Sequence, residues 1–163
     1  MADKQKYVLN EFLDESGLSF NEVDFSELNL DESLFEKSGF EECDFYDCVI
    51  RKAKFNMASF YLVYFDGSDL SEANFSGSRI IESSFEKSIL FKANFTNAVI
   101  DSVVFDGASL EGANFQAARF GTDVTFRGAN LSGARLFSTE LEGVDFDGAI
   151  LTGAFMPDGS VHE

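Results

Sequence analysis

At 163 residues the chain has the length of a single domain. Its 29 acidic and 12 basic side chains leave a net charge of −17, which argues against direct binding to nucleic-acid phosphates. With one His, no Trp and no nucleophile–base arrangement, the composition gives no support to an enzyme, and no cofactor is expected.

Residues 1–17 read as an N-terminal cap. Val8, Leu9, Phe12 and Leu13 share one helical face, with Asn10, Glu11 and Asp14 elsewhere, which predicts a short amphipathic helix over about 4–15. Its alternative role is partner binding. Gly17 allows the turn that follows. The opening Met1-Ala2-Asp3-Lys4-Gln5-Lys6 leads into no apolar signal-peptide stretch. No apolar run approaches the ~18 residues of a membrane span, so the cytoplasm is the expected compartment.

Residues 18–156 repeat with a period of five. Every fifth residue from Phe20 to Phe120 is large and apolar. After one inserted residue the centres resume at Phe126 and run through Leu131, Leu136, Leu141, Phe146 and Leu151 to Met156. The residue two before each centre is usually small, as at Ser33, Cys43, Ala53, Ala73 and Ala113. Five matches neither the 3.6-residue period of a helix nor the two-residue period of a strand. Fixed-period self-similarity instead marks a solenoid, whose units bury their apolar side by stacking.

A second period of twenty sets the number of sides. Phe25, Phe45, Phe65, Phe85, Phe105, Phe126 and Phe146 are all Phe, and the column from Leu30 to Leu151 is all aliphatic. The column from Phe35 runs in Phe to Phe115 and ends in Leu136 and Met156; the column from Phe20 to Leu141 is mixed. Residues twenty apart are therefore expected to stack, giving seven coils of four five-residue sides and a rod on the order of 34 Å long at the ~4.8 Å strand spacing. The centres and the small residues point inward, and the other three positions face solvent.

Cys43 and Cys48 occupy small inward positions on adjacent sides of one coil. Buried reduced thiols are the expected state. A corner-bridging disulfide is the alternative, and it needs a distance that sequence does not supply. No metal site is expected, because only His162 could join the thiols. Beyond Met156, residues 157–163 read as a turn and a short tail.

Ala73-Asn74-Phe75-Ser76-Gly77, Ala113-Asn114-Phe115-Gln116-Ala117 and Ala129-Asn130-Leu131-Ser132-Gly133 carry a small residue, Asn, Leu or Phe, then two polar or small residues. In this the chain resembles the pentapeptide-repeat family over about residues 18–156. The resemblance implies a right-handed quadrilateral parallel β-helix. The closing Met156-Pro157-Asp158-Gly159-Ser160-Val161-His162-Glu163 is similar to that of many cyanobacterial members. Similarity to the Qnr-type members implies another reading, an acidic DNA mimic that binds DNA gyrase or another DNA-binding protein. Those members carry coil-interrupting loops and a dimerising C-terminal element, and neither is matched here.

The charge distribution also departs from a uniform duplex. Residues 11–47 carry thirteen acids and one base, residues 48–135 nine of each, and residues 136–163 six acids and no base. Acids at both ends keep a solenoid from pairing edge to edge.

Two outward features remain. Asp66, Glu86 and Asp106 form an acidic ladder, one per coil, suited to a basic partner or a divalent cation. Tyr46, Tyr61, Leu62, Tyr64 and Ile81 gather apolar groups on two adjoining sides, and clustered aromatics mark interfaces. Val49, Ile89 and Phe91 add apolar groups on another side, and Phe137 and Phe155 are expected to close the last coil. The expected function is a non-catalytic protein–protein interaction scaffold, binding an unidentified protein partner through a lateral face of a rigid solenoid in a regulatory role. It would be a monomer or weak homodimer without membrane contact.

Overall fold

The computed structural model describes residues 4–7 and 14–163. The five-residue period appears directly as backbone pairing between residues twenty apart. On the first side, β2 (Ser19–Asn21), β4 (Gly39–Glu41), β5 (Ser59–Tyr61), β6 (Arg79–Ile81), β7 (Val99–Asp101) and β8 (Arg119–Phe120) form a six-stranded parallel sheet in that order. Its register places Phe40 beside Phe60 and Ile80 beside Ile100. The other sides are ladders of single parallel bridges made by the residue before each centre. Asp44↔Tyr64 lies on the second side, Val49↔Asp69 on the third and Lys54↔Asn74 on the fourth. The result is an all-β parallel solenoid.

The interior is a set of aligned rings. Phe45, Phe65, Phe85, Phe105 and Phe126 are fully buried, and successive rings in this column stack 4.7–5.1 Å apart. The Phe75–Phe95–Phe115 column meets it edge-on, with Phe85 and Phe95 crossing at 89°. Stacking thus follows the strand spacing along the rod, while T-shaped contacts fill it across. Ala73, Ala93 and Ala113, all at 0% exposure, leave room for those rings.

Each corner is turned by the residue two after a centre. Glu22, Lys37, Leu62 and Lys87 all take positive φ there, between 54° and 59°. The inserted residue moves this conformation from the expected position 122 to Asp123, so Gly121–Asp123 bulges from the corner. Beyond it the sheet on the first side stops, since among the described residues Phe120 has no strand above it and Leu141 no bridge. The second, third and fourth sides continue one rung further, to Asp145, Ile150 and Phe155. About six turns are therefore closed on all four sides, where the repeat predicted seven, because the bulge carries the seventh out of register on one side.

The N-terminal helix expected over 4–15 is also corrected. Gln5–Lys6 is a strand, β1, paired in parallel with β3 (Val23–Asp24), and Asp14 bridges Leu34. The Gln5 N–H donates to Glu22 O at 3.2 Å and the Tyr7 N–H to Asp24 O at 2.8 Å. A strand satisfies the open edge of the second side, whose backbone groups a helix would leave unmet. Tyr7 completes the cover, its ring 4.6 Å from Phe25. Val8, Leu9, Phe12 and Leu13 lie outside the described residues. No helix among the described residues is long and apolar enough to cross a membrane.

Candidate functional site

The side chains flanking each centre point away from the core, so their identity sets the surface of each side. On the first side the residues before the first three centres are Ser19, Gly39 and Ser59. Their small side chains leave a groove of about 540 Å³ bounded by Glu41, Tyr61, Arg79 and Ile81. Tyr61 is 41% exposed and lies in register between Glu41 and Ile81.

The five apolar residues singled out in the sequence fall into two groups. Tyr61 and Ile81 line the groove. Tyr46 and Tyr64 stack on the second side, with ring centroids 6.0 Å apart at 16°. Leu62 sits half-buried at the corner between them, at φ 54°. Lys4 reaches over the Tyr pair, its Nζ 2.7 Å from Asp44 Oδ1 and 5.8 Å above the Tyr64 ring. Burial, then the charges of Asp44 and Asp66, push the Tyr46 phenol up to about 12. Lys4 immediately precedes β1, where the sequence predicts helix, so its place over the Tyr pair follows from the strand alone.

The acidic ladder has an internal use. Asp66 Oδ1 accepts from Ser84 Oγ at 2.5 Å and from the Glu86 N–H at 2.9 Å. Burial raises its pKa despite those bonds. Asp106 Oδ1 accepts from the Arg127 N–H at 2.9 Å, and Glu86 pairs with Lys87 at 2.7 Å.

These bonds follow one rule. On the second, third and fourth sides the single bridges leave the N–H after a centre without a backbone acceptor among the described residues, and at many of these positions a side chain takes it. Asn74, Asn94 and Asn114 serve the N–H of Ser76, Thr96 and Gln116 within their own coil, each at 3.0 Å. Where the preceding residue is Val49, Asp31 of the coil below serves the Arg51 N–H instead, at 2.9 Å. Asn94 Nδ2 additionally donates to Asn74 Oδ1 at 3.2 Å.

Cys43 and Cys48 are both buried free thiols. Cys48 Sγ donates to Phe25 O at 3.0 Å, and burial pushes its thiol up to about 11. No cluster of three or more His, Cys, Asp or Glu among the described residues is arranged to hold a metal ion. Ile89 and Phe91 are exposed on the third side, with Lys92 Nζ 4.9 Å from the Phe91 ring centroid. Phe137 and Phe155 pack at 5.3 Å at the C-terminal end.

Residues 18–95 match the family described as Pentapeptide repeat region, and residues 88–121 and 122–153 match Pentapeptide repeats (8 copies). The chain belongs to the pentapeptide-repeat family. Several solved members are similar to this pentapeptide-repeat protein. HetL, involved in heterocyst differentiation regulation in the cyanobacterium Nostoc sp. strain PCC 7120, is 26% identical with a TM-score of 0.39, covering 88% of this chain and 81% of its own. Full-length QnrB1, a plasmid-mediated fluoroquinolone resistance protein, is 18% identical with a TM-score of 0.45, covering 94% and 83%. A pentapeptide-repeat protein from the cyanobacterium Cyanothece 51142 is 23% identical with a TM-score of 0.42, covering 66% and 58%. No curated protein matches the chain.

Proposed function

We propose that this pentapeptide-repeat scaffold is a right-handed, non-catalytic rod that binds a protein partner through its first side and the adjoining Tyr corner. The observation that carries this reading is the Tyr61–Ile81 groove on a parallel sheet of six strands. A rigid sheet loses little conformational freedom on binding, and an exposed Tyr beside an aliphatic residue is a frequent anchor. Tyr46, Tyr64 and Leu62 extend the contact around the corner. We place the protein in the cytoplasm, where Cys43 and Cys48 would stay reduced.

The test is affinity capture from a lysate of the source organism at low and high salt, with wild-type protein and with Tyr61→Ala and Ile81→Ala. The expected result is a partner held at high salt by wild type and lost with either variant. A DNA-binding protein held only at low salt and indifferent to both variants would replace this reading with the acidic DNA mimic, since charge-driven binding is screened.

A further inference from the structure

The two ends of the rod are finished differently. In the first coil Phe25, Leu30 and Phe35 are at most 1% exposed, and of its four centres Phe20 alone is partly buried. In the last, Leu141, Phe146, Leu151 and Met156 are all only partly buried. One side of that last coil is closed by the chain itself. After the turn at Met156–Gly159 the tail returns antiparallel, pairing Val161 with Phe155. The His162 N–H donates to Ala154 O at 2.8 Å, and the Gly153 N–H to His162 O at 2.7 Å.

Among the described residues the second and third sides have no such cover. In the coil below, the Phe126 N–H donates to Asp145 O at 2.7 Å and the Leu131 N–H to Ile150 O at 2.8 Å. The corresponding N–H groups of Phe146 and Leu151, and the carbonyls of Val144 and Ala149, have no protein partner among the described residues. Such an edge is a template for an added strand, and the tail shows that this end accepts one antiparallel.

We propose that an extended, basic segment of another protein adds as a strand to this edge, across the second and third sides of the last coil. Charge selects that occupant. Residues 136–163 carry six acids and no base, and among them only Asp145 is ion-paired in the described residues, to Arg127 at 2.7 Å. Asp147 is exposed beside Phe146 on the second side, and Glu140 and Glu142 are exposed around Leu141 on the adjoining first side. A second copy of the chain would bring the same six acids against them, and like charges disfavour that contact. A strand alternating basic and aliphatic residues meets both demands, with its aliphatic side on the half-covered core and its cations toward the carboxylates.

The test uses the full chain and a fluorescent peptide alternating lysine and valine, with a glutamate–valine peptide as control. Binding is read by anisotropy, and the site by amide exchange in NMR. The expected result is binding of the basic peptide alone, with new protection at Phe146 and Leu151. The triple variant Glu140→Lys, Glu142→Lys, Asp147→Lys should bind about tenfold more weakly with its spectrum otherwise intact. Three outcomes would overturn the proposal: no binding of the basic peptide, perturbations centred on the acidic residues 11–47, or a dimer in sedimentation that already protects the Phe146 and Leu151 amides.

Discussion

Replacing Phe65 by Ala tests whether the aligned rings carry the stability of the rod. Phe65 is fully buried, with Phe45 stacked at 4.7 Å on one face and Phe85 at 4.8 Å on the other. Phe55, Phe60 and Phe75 meet it edge-on within 6.1 Å. A buried Phe→Ala change costs about 3–5 kcal/mol, and the cost rises where the cavity does not collapse. Here the rings above and below are held apart by the backbone ladder, so the expected loss is near the upper end, about 5 kcal/mol. Phe146→Ala is the matched comparison. It has one stacked neighbour, Phe126 at 5.2 Å, and is only partly buried, so about 1–2 kcal/mol is expected. Urea unfolding followed by far-UV circular dichroism measures both, since the chain has no Trp. Equal costs within about 1 kcal/mol would show that the stack is not the source of stability.

Asn94→Ala removes the acceptor of the Thr96 N–H and the donor to Asn74, and should cost about 1–2 kcal/mol in the same assay. Gly121→Ala would set a Cβ 2.1 Å from Asp101 Oδ1, the acceptor of the Thr122 N–H. We expect a loss of about 1–3 kcal/mol that shrinks in an Asp101→Ala background, where the carboxylate is gone and only the Asp101 Cβ contact at 3.0 Å remains; a double-mutant cycle reads the coupling. Asp66 has a raised folded-state pKa, so its contribution to stability is present below the ordinary carboxylate pKa and lost as pH rises through the folded value. Asp66→Asn should therefore raise the urea midpoint relative to wild type at pH 7, with the advantage shrinking as the pH falls toward 3. An advantage independent of pH would sink that account.

The core and its stacking order were legible because they depend on period alone. Five-residue spacing sends Phe65 inward wherever the coil sits, and twenty-residue spacing puts Phe85 above it. The ends were not legible. The apolar spacing of Val8, Leu9, Phe12 and Leu13 suits a helix, but Gln5–Lys6 pairs with Val23–Asp24 because the first coil presents an open edge, a demand that exists only once the coil is assembled. The inserted residue near Thr122 was visible, but that the sheet on the first side ends there depends on how neighbouring coils meet over the bulge. The same holds for the surface. The sequence placed Tyr46, Tyr61, Leu62, Tyr64 and Ile81 outward, and only the tertiary structure divided them between a groove and a stacked pair under Lys4. Periodicity determines which way a side chain points; contacts between distant segments decide what it meets there.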